Sequence, residues 1–154
     1  KSADEYNNEG YRFKNLGLYE EAIRAYRSAM ESYPDHSMAY NNLAFLYAEL
    51  GVNLEDALRY AETALRLDPM NRGYYLDTLG WIYFKSGEIL KARDTLEKSV
   101  FYNPSAIRKY HLAQVYKKLQ MKDRAIAELQ GARVIQPTGK LGEQIKTEIL
   151  ELQN

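Results

Sequence analysis

Four prolines divide this chain into near-equal lengths. Pro34, Pro69, Pro104 and Pro137 are the only prolines among 154 residues, and they stand 35, 35 and 33 residues apart. An alanine precedes each by twelve residues, at Ala22, Ala57, Ala92 and Ala125, and a small residue precedes each by five, at Ala29, Ala64, Ser99 and Ala132. A repeat of this period is one supersecondary unit whose apolar face can be buried only against its neighbours, so the chain is constrained to fold as a stack.

Within a unit the period is helical. Tyr6, Gly10 and Phe13, or Leu76, Leu79, Gly80 and Tyr83, recur at the i, i+3, i+4, i+7 spacing of one helix face. Each unit therefore reads as two helices, with Gly17, Gly51 and Gly87 stopping the first. The second unit carries one extra residue, because Gly51 stands six before its alanine while Gly17 and Gly87 stand five before theirs. In the fourth unit Gln120 occupies the glycine position, which predicts a turn without positive φ. Helix starts are expected at the capping box Ser2-x-x-Glu5, at Ser37, at Asn53 and at Ser105, each offering a side-chain acceptor to free N–H groups. The prolines separate one unit's second helix from the next unit's first. Gly10, Ala22, Ala44, Ala57, Gly80, Ala92, Ala113 and Ala125 fall where the paired helices would approach most closely. The tail, 138–154, spaces Leu141, Ile145, Ile149 and Leu152 as a helix with Glu143, Lys146, Glu148 and Glu151 between them, a solvating cap for the last repeat's apolar face.

These slots resemble the tetratricopeptide repeat, with its W-x2-L-G-x2-Y, A-x3-F and P pattern over about 34 residues. The Leu-Gly slot reads Glu9-Gly10, Leu43-Ala44, Leu79-Gly80 and Leu112-Ala113, and the tyrosine slot Phe13, Tyr47, Tyr83 and Tyr116. The tryptophan slot holds Tyr6, Tyr40, Leu76 and Lys109, and the ring after the alanine is kept loosely as Tyr26, Ala61, Leu96 and Leu129. The resemblance implies an all-α, right-handed superhelix of four helix hairpins plus a C-terminal capping helix. On this reading 1–154 is a single repeat domain, with repeats at about 3–36, 37–71, 72–105 and 106–137 and the cap at 138–154. The Leu-Gly-Trp-Ile-Tyr-Phe run at 79–84 resembles bacterial members of the family.

The absence of cysteine excludes disulfides, a thiol nucleophile and thiolate metal sites. His36 and His111 stand 75 residues apart without a metal-ligand spacing, and each reads as a satisfied surface or partly buried imidazole. No phosphate loop, dinucleotide fingerprint, nucleophile elbow or zinc-protease motif occurs, so neither an enzyme nor a cofactor site is expected. No uninterrupted apolar run is long enough to span a membrane, and the first residues do not read as a signal peptide. Compartment stays open between the cytoplasm, a slight preference, and a periplasmic or membrane-anchored location. Net charge is zero, but residues 1–71 hold 7 basic and 12 acidic side chains and 72–154 hold 14 and 9. Such an imbalance is compatible with an ordinary solvated surface, with head-to-tail self-association, or with a fourth repeat that takes an acidic stretch of a partner. The acidic first half and overall neutrality argue against an RNA-binding repeat array.

In the family the first helices of successive hairpins line a concave groove that binds partner peptides. By register, that groove would display Asp4, Asn7, Tyr11 and Lys14; Met38, Asn41, Phe45 and Ala48; Tyr74, Asp77, Trp81 and Phe84; and Ile107, Tyr110, Gln114 and Lys117. Partner binding is assigned to Asn7, Tyr11, Lys14, Asn41, Phe45, Tyr74, Asp77, Trp81, Phe84, Tyr110, Gln114 and Lys117. One slot holds Tyr11, Phe45 and Trp81 in three consecutive repeats, lying away from each repeat's own packing stripe. Two readings of this row stand side by side: rings that grip a partner, or rings that pack against neighbouring hairpins or beneath the tail helix. The family's clamp for chaperone C-terminal tails uses two Lys, two Asn and an Arg. Here the Lys places hold Asn7 and Tyr74, one Asn place holds Tyr11, the Arg place holds Thr78, and Asn42 alone agrees. The expected function is a protein-binding scaffold without that clamp, its partner a protein or peptide segment. Alternatives are a self-assembling module of a larger envelope, secretion or organelle complex, or a regulatory domain of a larger enzyme.

Overall fold

The computed structural model describes residues 1–154. Nine α-helices follow one another without a strand: α1 (Ala3–Asn15), α2 (Tyr19–Ser32), α3 (Ser37–Leu50), α4 (Leu54–Leu67), α5 (Arg72–Lys85), α6 (Ile89–Tyr102), α7 (Ala106–Lys118), α8 (Lys122–Ile135) and α9 (Gly139–Gln153). A single 3₁₀ turn, Pro69–Asn71, joins α4 to α5. Each of α1, α3, α5 and α7 pairs with the helix that follows, and each hairpin packs on the next. Beyond these neighbours, α1 touches α3, α3 touches α5 and α5 touches α7, while the even helices of successive hairpins make no comparable contact. The first helices of the four hairpins therefore line the inner, concave side of a right-handed superhelix and the second helices its outer side. None of the nine helices is long and apolar enough to cross a membrane.

Turn chemistry explains the hairpins. In all four, the tyrosine-slot carbonyl closes the first helix's end: Leu18 N–H bonds Phe13 O, Val52 bonds Tyr47, Glu88 bonds Tyr83 and Met121 bonds Tyr116, at 2.9–3.1 Å. That closure needs one left-handed residue, supplied by Gly17, Gly51 and Gly87 at φ of 76°, 67° and 83°. Gln120 adopts φ 58° in the fourth turn, contrary to the expectation from its side chain. The conserved bonding pattern, with Gln120 N–H to Lys117 O at 3.0 Å, imposes the conformation regardless of residue type.

Two helix starts also differ from expectation. Asn53 gives no side-chain cap and sits at φ 49°, so that a second left-handed residue absorbs the extra position after Gly51. At α3 the cap is His36, whose Nδ1 accepts from Ala39 N–H at 3.1 Å, leaving Ser37 to meet the Tyr75 hydroxyl at 3.0 Å. With Nδ1 accepting, Nε2 carries the proton and donates to Asp4 at 2.9 Å, linking α3 to α1. The Ser2 capping box and the Ser105 cap form as anticipated.

The small slots set the helix separation. A Cβ on Gly10 would come within 2.6 Å of the Tyr26 ring, and one on Gly80 within 2.5 Å of Leu96. Ala22, Ala57, Ala92 and Ala125 are all fully buried. Ser99 takes the slot that is alanine elsewhere, and its hydroxyl donates to the Gly73 carbonyl at 2.5 Å, tying α6 to the start of α5. At the far end, Ile145 and Ile149 of α9 pack with Ala106, Ala113, Leu129 and Ala132, covering the surface that a fifth repeat would otherwise bury.

Candidate partner-binding groove

The inner face is not uniform along its length. Its centre is a depression of about 150 Å³ walled by the first helices of all four hairpins: Tyr11 and Lys14 from α1, Asn41, Asn42 and Phe45 from α3, Tyr74, Asp77 and Thr78 from α5, and Ile107, Arg108 and His111 from α7. Six of the residues assigned to partner binding meet here, namely Tyr11, Lys14, Asn41, Phe45, Tyr74 and Asp77. Tyr11 is 52% exposed and Tyr74 37%, so both rings are available at the rim. Asn7 lies deeper, its side-chain oxygen accepting from Asn42 Nδ2 at 2.9 Å. Asn41 is only 2% exposed, and its side-chain oxygen has no partner in the chain.

Trp81 departs from its two neighbours in the aromatic row. It is 8% exposed and belongs to the central core. Its ring stacks on His111 at 4.4 Å and on Phe84 at 4.9 Å, and Nε1 donates to Glu49 at 2.5 Å. The partners that bury it come from α3 and α7, the helices on either side, so the ring is used between repeats. Phe84 shares that stack. His111 is fixed twice over, by the Trp81 face and by Asp77 Oδ1 2.8 Å from its Nδ1, while Phe45 lies 6.0 Å from the same ring.

Beyond the central depression α9 closes the inner face. One carboxylate, Glu148, accepts from Tyr110 at 2.8 Å, from Gln114 at 2.9 Å and from Lys117 at 3.2 Å. Gln144 adds a 2.7 Å bond to the Tyr110 hydroxyl. Burial alone would raise the Glu148 pKa, but the bonds from Gln114, Tyr110 and Lys117 outweigh it and hold the carboxyl below the usual range. The Tyr110 hydroxyl moves the other way, raised by burial and by the same carboxylate. Tyr110, Gln114 and Lys117 therefore stand where register put them, yet their polar groups are already engaged by the chain's own tail.

Register pointed to the helix faces but missed Arg108, Asn42, Thr78 and Glu49, each flanking a chosen slot or one turn away. A wider face, taking the residues beside each slot, would have included all four.

The tetratricopeptide repeat profile matches residues 7–71, and the crystal structure of the Sgt2 repeat domain from Aspergillus fumigatus superposes with a TM-score of 0.68 at 26% identity, over 79% of this chain and 82% of that one. The chain belongs to the tetratricopeptide repeat family. A chain of the APC/C hetero-tetramer Cut9-Hcn1 superposes with a TM-score of 0.83 at 21% identity, over 97% of this array and 29% of its own length, a likeness of fold. In sequence, the array is 32% identical over 106 residues to the Hsp70-Hsp90 organizing protein of Triticum aestivum. That alignment takes in 68% of the array and only 18% of the wheat protein.

Proposed function

We propose that this tetratricopeptide array is a non-catalytic adaptor whose concave groove binds an extended segment of another protein. The observation that carries the reading is the central depression, where four successive inner helices converge rings and amides on one surface. Tyr11 and Tyr74 would supply contact area with few rotamers to freeze, Phe45 the floor, and Asn41 the amide that fixes a backbone. Trp81 and Phe84 act as the rigid support beneath, and Tyr110, Gln114 and Lys117 set the groove's closed end through Glu148. The relationship to an Hsp70-Hsp90 organizing protein and to an Sgt2 repeat domain agrees with a role in holding partners. The tail-clamp positions argue that this array holds something else, since Tyr11, Tyr74 and Thr78 replace groups that would grip two carboxylates.

Affinity capture with wild type and with a Tyr11→Ala/Phe45→Ala double variant tests the proposal. Proteins retained by wild type and lost from a variant that melts normally are the expected groove ligands. Identical captures would remove the groove from the account.

A further inference from the structure

Resting on that groove reading, we infer that the central depression seats the carboxylate of an internal Asp or Glu side chain of the bound segment, held between Arg108 and Lys14. The two cations reach it from opposite walls, and neither is paired with a carboxylate of the chain. Arg108 is 7% exposed; its guanidinium lies 5.2 Å from the Tyr74 ring, its Nη1 donates to the Asn103 carbonyl at 3.3 Å, and its Nε has no acceptor. The Lys14 ammonium rests 4.5 Å from the Tyr11 ring. Ring faces recover only part of what a buried cation loses on leaving water, so a nearby anion is the missing complement. Asp77 is the only carboxylate lining the depression, and its Oδ1 is taken by His111. Lys14 and Arg108 against Asp77 leave the lining with a net positive charge. An apolar side chain placed there would bury both cations further without an anion.

The chain contains its own precedent. Lys117 occupies in the fourth repeat the slot that Lys14 occupies in the first, and there α9 delivers Glu148 to it at 3.2 Å. The same slot in the first repeat lacks such a delivery. A guanidinium receives a carboxylate through two parallel N–H groups, and the flexible lysine can swing from its ring to share the charge. A side-chain source is favoured over an acidic chain terminus because a terminal Asp or Glu offers two carboxylates, and the positions that would hold a second one carry Asn7, Tyr11 and Thr78.

The test is display selection of random dodecapeptides, fused through their C-termini so that only side chains supply carboxylates. Immobilised wild type, Lys14→Gln, Arg108→Gln and Phe45→Ala are the baits. Wild type is expected to enrich sequences with Asp or Glu at one fixed position, and synthetic versions of these should bind about tenfold more weakly to either charge variant. Because Arg108 is buried, Lys14→Gln must show the loss by itself, with an unchanged melting curve. Peptides that depend on Phe45 but show no acidic position would overturn the carboxylate seat while leaving the groove in place. An acidic preference seen only in a second library with free C-termini would move the source to the chain end and overturn the side-chain assignment. Selection that ignores Phe45→Ala, or enriches nothing, would sink the groove reading itself and the seat with it.

Discussion

Repeats one and four place lysines in the same inner-face slot and surround them differently. Lys14 lies over the Tyr11 ring with no acidic partner, whereas Lys117 is bonded to Glu148 together with Gln114 and Tyr110. Tyr11 and Gln114 also share a slot, and the first is half exposed while the second is tied down. What separates them is the helix that follows the last repeat. Here α9 covers the fourth repeat through both apolar packing and a partly buried carboxylate. The inner face is therefore finished at the fourth repeat and open toward the first.

The sharpest way to break this contrast is to remove the cover. Ile145 is fully buried against the α7–α8 hairpin, so Ile145→Asp should cost about 4 kcal/mol, a cavity plus a charge without a partner. Because repeats contribute nearest-neighbour terms, the loss should appear first in hydrogen exchange of α7, α8 and α9. Uniform acceleration that included α1 and α2 would show that the two ends are not energetically separate.

A smaller and more specific effect comes from the carboxylate. Its folded pKa lies below the ordinary glutamate value of 4.5, so Glu148 stabilises the fold above that value and the contribution is lost as pH falls through the folded pKa. Glu148→Gln should lower stability at neutral pH by about 1–2 kcal/mol, as charge-assisted bonds become neutral ones. It should also flatten the decline in urea midpoint as pH falls below the ordinary glutamate value. An unchanged acid profile would mean that the three bonds contribute nothing to folding.

How much of this was legible beforehand follows from where each partner lies in the chain. The turns were readable because their closing bonds span five residues, from the tyrosine slot to the residue after glycine, as in Tyr83 to Glu88. Helix faces were readable for the same reason, and Tyr11, Phe45, Tyr74 and Asp77 do share one depression. Trp81 was harder, since the groups that bury it, Glu49 and His111, lie 32 residues before and 30 after. Glu148 was hidden altogether: α9 has no proline or repeat register to fix its rotation, and its docking depends on Ile145 and Ile149. Gln120 and Asn53 were misread because local propensity is weaker than a turn closed on both sides.

The fourth repeat's turn offers a change in the opposite direction. Gln120 adopts a conformation that costs a residue with a Cβ about 1–2 kcal/mol. Gln120→Gly should recover part of this, raising stability by about 0.5–1 kcal/mol after glycine's own loss of chain freedom. The same exchange in reverse, Gly17→Gln, should destabilise the first repeat by a similar amount. If both substitutions were neutral in urea denaturation, the left-handed turn would not limit stability in either repeat.

The smallest expected change in stability belongs to Tyr11. Its ring is half exposed at the groove rim, and the contact it makes with Lys14 is a surface one, so Tyr11→Ala should move the unfolding free energy by less than about 0.5 kcal/mol. Tyr110→Phe, by contrast, removes the hydroxyl between Glu148 and Gln144 from a partly buried network and should cost about 1 kcal/mol. The pair therefore asks whether exposure at the open end is structural slack or a surface kept free for a partner. If the peptides selected on wild type bind Tyr11→Ala much more weakly and Tyr110→Phe nearly as well, the open end carries recognition and the closed end carries stability. Equal weakening by both would place the two repeats in one binding surface and remove the distinction drawn between them.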